Sequence, residues 1–284
     1  MQQSGTECEF CSSDSWVILS PIEQSIKRKI EAVGTPLKNW NIQINYGIKT
    51  GYNDAFIIDT AKRDEILANC QSENERERTA ELIRPILRGR DIKRYGYNWA
   101  GLYLIATFPS RHYDIEQYPA VKEYLLSFGI ERLEQTGKEH NVNDEKIKAR
   151  KKTCNKWFET QDSISYWEDF SKPKMLWKRV GSILRFCYND NETLGLDSTC
   201  FATGENIEFI CCVLNSPMGH YLLKDAPKTG TGDLLVSVQA IEPIQIPQVG
   251  LETNSEFKKL LESLIKTDSP SNEKEISRKV SLSL

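Results

Sequence analysis

The chain has 284 residues, 39% apolar and 27% charged, with a formal net charge of −3 at pH 7. This length can bury a substantial core and admits one large or two modest domains. No apolar run approaches the roughly eighteen residues of a membrane span, and the opening Met1-Gln2-Gln3-Ser4-Gly5 has no basic and apolar signal sequence. A membrane or secreted protein is therefore not expected, and a cytoplasmic one is. Of the eight cysteines only Cys8 and Cys11 form a Cys-x-x-Cys pair, and His112, His140 and His220 are isolated. A four-ligand zinc site is not expected; reduced thiols that fill the core are.

In chain order, residues 1–19 read as a lead-in or linker. Ser20-Pro21-Ile22-Glu23 is a helix start, with Ser as N-cap, Pro at the first helical position and Glu at the third. Ile22, Ile26, Ile30 and Val33 share a face of the helix that follows. Residues 37–46 alternate apolar and polar side chains as a half-buried strand does. A polar loop from Gly47 to Asn53 then feeds an expected strand, 55–58. Thr60 is expected to cap a short helix over 63–69, a charged helix spans 73–82, and Pro85 breaks it. The pattern continues with a strand at 101–106, a helix over 118–128, and a polar, basic stretch at 135–156 read as a helical or loose insertion. Strands are expected at 164–167, 174–179 and 183–188, and an apolar helix over 206–214. Thr229-Gly230-Thr231-Gly232-Asp233 lacks the Gly-Lys-Ser/Thr ending of a phosphate loop. A last amphipathic helix covers 255–265, and the final fifteen residues are polar and expected to fray.

Positive charge is concentrated in the middle of the chain: between Arg84 and Tyr188 there are 20 Lys and Arg against 13 Asp and Glu. Two segments carry the strongest signals. In Gly47-Ile48-Lys49-Thr50-Gly51-Tyr52-Asn53 two glycines bracket a Lys-Thr pair, and Lys49, Thr50, Tyr52 and Asn53 offer groups suited to phosphates or base edges. In Arg84-Pro85-Ile86-Leu87-Arg88-Gly89-Arg90-Asp91-Ile92-Lys93-Arg94-Tyr95 cations alternate with apolar anchors, and Arg88, Arg90 and Lys93 are candidates. Lys172, Lys174, Lys178 and Arg179 beside the later strands complete the set. Asp54 and Asp91 read instead as loop and turn staples, and pairing with Asp91 or a helix end inside the fold is the alternative role for Arg88 and Arg90. Tyr95, Trp99, Trp157 and Trp167 read as core aromatics.

These two segments resemble the opening of the target recognition domain of type IIG restriction-modification enzymes and TaqI-like adenine-N6 DNA methyltransferases. The resemblance continues in order through Tyr118-Pro119-Ala120-Val121, Trp157-Phe158-Glu159, Lys172-Pro173-Lys174-Met175, Asp197-Ser198-Thr199, Leu214-Asn215-Ser216-Pro217 and Ile244-Gln245-Ile246-Pro247. It implies a mixed α/β (α+β) fold with a twisted, partly curled sheet flanked by helices at both ends. The recognition domain would span 20–248, with 249–284 as C-terminal helix and polar tail. It also implies sequence-specific binding of double-stranded DNA, with base-reading residues in the stretches that match least, such as 107–117 and 135–165. The family's Asn-Pro-Pro-Tyr-type tetrapeptide and cofactor loop are missing, so no catalytic residue is assigned, and no cofactor or metal is expected in this chain. S-adenosylmethionine, with Mg2+ as a further candidate, would belong to the full-length enzyme or to a partner, a methyltransferase or nuclease domain upstream or on a separate subunit. The alternatives are a specificity subunit of a type I restriction-modification system and a protein interaction module that binds no DNA.

Overall fold

The computed structural model describes residues 20–142, 144–267 and 270–283; the expected lead-in and its Cys8-Cys11 pair lie outside them. Its organising element is an antiparallel sheet in the order Phe186–Asn189, Lys174–Lys178, Thr199–Gly204, Ile42–Tyr46. The runs Met175-Leu176-Trp177, Phe186-Cys187-Tyr188 and Cys200-Phe201-Ala202 are apolar at both parities, and side chains alternate across a strand, so this sheet is buried on both faces. Met175, Trp177, Phe186, Tyr188, Cys200 and Ala202 enter one core. Leu176, Cys187 and Phe201 enter the other.

The first core is closed by helices. Ile207–Leu214 is buried at all eight positions, as expected of a helix that is apolar on most sides. Leu251–Thr267 and Pro270–Ser283 pack over it through Phe257, Leu261, Ile276 and Val280. The final residues are therefore not frayed: Ile276 and Val280 are buried because they face the Ile207–Leu214 layer. The second core is closed by another four-stranded sheet in the order Leu194–Gly195, Ile83–Leu87, Leu102–Ile105, Ile57–Asp59, together with the Thr60–Ala68, Glu73–Leu82 and Pro119–Leu126 helices. Leu194–Gly195 runs parallel to its neighbour and the other pairs are antiparallel. Bridges at Ile48 with Leu196 and Tyr95 with Cys187 stitch the two sheets together.

Several local expectations hold and several are corrected. Ser20 and Glu23 form the capping box, but Ile22 and Val33 are exposed, so the helix Pro21–Val33 buries less of its apolar face than its spacing suggests. Asn53–Phe56 is a helical turn, the strand is Ile57–Asp59, and Asp59 rather than Thr60 caps the next helix by accepting from the Lys62 N–H. Pro85 sits inside a strand: the neighbouring Leu194–Gly195 reaches only Ile86 and Leu87, and an open edge tolerates a residue with no N–H. The 135–156 stretch holds a hairpin, Glu139–Val142 with Glu145–Lys148. Residues 164–167 are not a strand; Ile164 takes a left-handed φ of 50° and a 3-10 turn follows from Trp167.

Candidate nucleic-acid interface

The loop after Ile42–Tyr46 is fixed residue by residue. Gly47 donates to the Thr199 carbonyl at 3.0 Å, and a Cβ there would meet the Leu196 oxygen at 2.0 Å, so only glycine allows this approach. Ile48 is buried and donates to the Gly195 carbonyl, which leaves Lys49 exposed. Thr50 is buried, its hydroxyl donating to Asn53 Oδ1 at 2.7 Å and accepting from the Tyr52 N–H. Gly51 turns the chain at φ +80°. Behind it lies Arg150, whose guanidinium donates to the carbonyls of Thr50, Leu133, Trp157 and Glu159 at 2.6 to 2.8 Å. Burial pushes this guanidinium down to about 10, which still leaves it charged near neutral pH.

Lys49 opens onto a groove whose other basic walls are Lys151 and Arg179. Main-chain bonds set its shape: Gln161 and Asp162 donate to the Lys49 carbonyl, Asp197 to the Ile48 carbonyl, and Arg179 to the Ser198 carbonyl. The Tyr166 hydroxyl donates to the Tyr46 carbonyl at 3.0 Å. Ile164, at its left-handed φ, turns the wall, and Ser110 Oγ holds its carbonyl at 2.8 Å. Burial raises the Asp162 carboxyl from its ordinary value and nearby Asp197 adds to this, while Lys49 and Lys151 oppose it. Next to Arg179 in sequence, Lys178 is exposed, its stem lying against Gly89, whose N–H donates to Ser198 Oγ; Arg90, which follows Gly89, is exposed as well. None of Lys49, Arg90, Lys151, Lys178 or Arg179 makes an ion pair or a side-chain hydrogen bond among the described residues. No group of three or more His, Cys, Asp or Glu able to hold a metal ion occurs among them either.

The residues singled out from the sequence thus divide. Lys49 and Arg179 meet in the groove; Lys178 and Arg90 are exposed and next in sequence to Arg179 and Gly89. Tyr52 is half-buried, edge-on to Phe128 with Arg132 at its hydroxyl; Asn53 is exposed, its Oδ1 taken by Thr50. Lys93 is half-buried in the turn after Asp91 and does not line the groove. Four others are engaged within the fold. Thr50 is an internal turn staple. Arg88 forks onto the buried Asp91 through Nε and a terminal nitrogen at 3.0 and 2.8 Å, so Asp91 is the staple expected of it. Lys172 pairs with Asp169 at 2.8 Å. Lys174 is 0% exposed, its ammonium donating to the carbonyls of Phe170 and Asn191, and burial pushes it down to about 8. Lys151, Gln161, Asp162, Tyr166 and Asp197 were not singled out from the sequence, although the first four fall in or beside the 135–165 stretch expected to carry recognition.

Residues 84–242 match the family of TaqI-like C-terminal specificity domains, and the chain belongs to that family. Among solved structures, the chain resembles the type IIL restriction-modification enzyme MmeI in complex with DNA, with TM-score 0.53 and 10% identity over 88% of this chain. The type IIG restriction endonuclease BpuSI aligns over 91% of it with TM-score 0.48 and 12% identity. The chain spans about a third of the length of either enzyme, 33% and 32% respectively. No curated protein matches the chain. No helix of the described residues is long and apolar enough to cross a membrane.

Proposed function

We propose that this chain is the sequence-specific double-stranded DNA recognition module of a type IIG restriction-modification enzyme, and that it is not catalytic by itself. The observation that carries this reading is the set of cations along and beside the groove, Lys49, Lys151 and Arg179 with Lys178 and Arg90 nearby, that form no ion pair among the described residues. Elsewhere in the basic middle segment Arg84, Arg88, Arg94, Lys122 and Lys172 are ion-paired and Arg150 and Lys174 are buried. Lys138, Lys146, Lys148 and Lys152 are exposed without an ion pair among the described residues. The groove is where unpaired cations from separate stretches meet, and there phosphates gain from several at once. Family membership supports a specificity role. A methyltransferase domain, upstream or on a separate subunit, would supply S-adenosylmethionine chemistry on a flipped adenine while this module holds the duplex.

The test is a fluorescence anisotropy titration against duplex DNA over a salt series. Log affinity is expected to fall linearly with log salt, by about 0.9 per phosphate contacted. Lys49→Ala and Arg179→Ala should each lower that slope by about one and weaken all sequences alike. Binding that is absent at low salt, or insensitive to salt, overturns the reading.

A further inference from the structure

Two buried glutamines in the same region of the fold are used in opposite ways. Gln135 spends its amide inside the protein: Nε2 donates to the carbonyls of Lys156 and Glu159 at 3.1 and 3.0 Å, and Oε1 accepts from Thr153 Oγ1 at 2.7 Å. Gln161 is 9% exposed and spends none of it. Its main chain is pinned at both ends, the N–H donating to the Lys49 carbonyl at 3.1 Å and the carbonyl accepting from Asn155 Nδ2 at 2.9 Å. Its side chain packs beside Gly51, where an added Cβ would lie 2.9 Å from Oε1. The side-chain amide makes no hydrogen bond among the described residues, and the residue lines the groove between Lys49 and Asp162.

The amide reaches solvent in the groove, so its donor and its acceptor are both open to a ligand that supplies an acceptor and a donor side by side. A phosphate supplies only acceptors, and the carboxylates of Asp162 and Asp197 on the same wall repel anions. A base edge fits better. The major-groove edge of adenine presents the N7 acceptor and the N6 amino donor side by side, the complement of a side-chain amide. Resting on the DNA-recognition reading above, we infer that Gln161 reads an adenine in the major groove, donating to N7 and accepting from N6, while Lys49, Lys151 and Arg179 hold the flanking phosphates. Gln161 is on this account a specificity residue whose backbone is set by the Lys49 loop and by Asn155.

The experiment is selection from a randomised duplex library with the wild-type chain, Gln161→Leu and Gln161→Glu, followed by anisotropy titrations on the selected duplexes and thermal melting of each protein. Gln161→Leu is expected to select the same motif except at one A·T pair, where preference falls roughly 10- to 100-fold, with the salt slope and melting temperature unchanged. Gln161→Glu, nearly isosteric and therefore suited to fold where leucine does not, accepts but cannot donate, and should move that position toward cytosine, whose N4 amino group suits a carboxylate. Variants that keep the wild-type preference at every position overturn the inference. So does a uniform loss across all sequences, which would make Gln161 a backbone contact, or a change confined to a G·C pair. Wild-type binding without any sequence preference overturns it while leaving DNA binding intact; no binding to any duplex at low salt overturns both.

Discussion

The segment Arg84–Tyr95 and the groove beside Lys49 are both rich in cations, but the chain treats them differently. In the first, Arg84 reaches Glu192, Arg88 is locked to Asp91, and Arg94 bonds Glu273 and the Asn215 carbonyl. In the second, Lys49, Lys151 and Arg179 come from three distant stretches of sequence and form no ion pair among the described residues. The dense run is mostly engaged within the fold, and the dispersed set is not. Charge density along the sequence therefore says less about an interface than whether each charge is already neutralised.

The sharpest way to break this contrast is at Arg150. It lies in a basic stretch as Lys151 does, yet its four carbonyl partners make it structural, and Arg150→Met should destabilise the fold by about 3–5 kcal/mol in chemical denaturation. Wild-type stability in that variant would refute the clamp. Lys174→Met comes next: it strips the Phe170 and Asn191 carbonyls of their donor and is expected to cost about 1–3 kcal/mol while leaving the salt slope of DNA binding untouched. Lys49→Ala combined with Arg179→Ala should do the reverse, lowering the slope by about two with stability changed by no more than about 0.5 kcal/mol. A stable double variant with an unaltered slope would remove the groove from the interface.

The smallest effect is expected at the edge of the fold. Lys224 at 2.6 Å, followed by the Ser20 N–H, brings Glu23 down to about 2 from an ordinary 4.5. A depressed carboxyl stabilises the folded state above its unfolded pKa, and that stability is lost as pH falls through the folded one. Anchoring of the Pro21–Val33 helix should accordingly be complete above about pH 4.5 and weaken toward pH 2, and Glu23→Gln should abolish the dependence. Hydrogen exchange in that helix across this range measures it.

What was legible in the sequence was local or strictly periodic. The Ser20 and Glu23 capping box, the helix Glu73–Leu82 and the strand Lys174–Lys178 need only neighbours a few residues apart, and sequence and structure agree on each. Hairpin Glu139–Val142 with Glu145–Lys148 carries too few apolar residues for a period to show. The turn at Ile164 escaped because a β-branched residue at φ 50° is held by Ser110, fifty-four positions away. Lys174 looked like a surface cation because lysine usually is one; its burial depends on carbonyls of Phe170 and Asn191 that no spacing rule brings together. The groove was half visible: Lys49 and Arg179 stood out, whereas Gln161 and Asp197 gain meaning only where three loops converge.

The antiparallel sheet that supplies residues to both cores has one more consequence. Each of its central strands is committed to two interiors at once, so losing either interior strips the other of a wall. The described chain should melt in one cooperative step, with absorbance, circular dichroism and calorimetry coinciding. By the same reasoning, a crossover between relatives placed within any central strand would open both interiors at once.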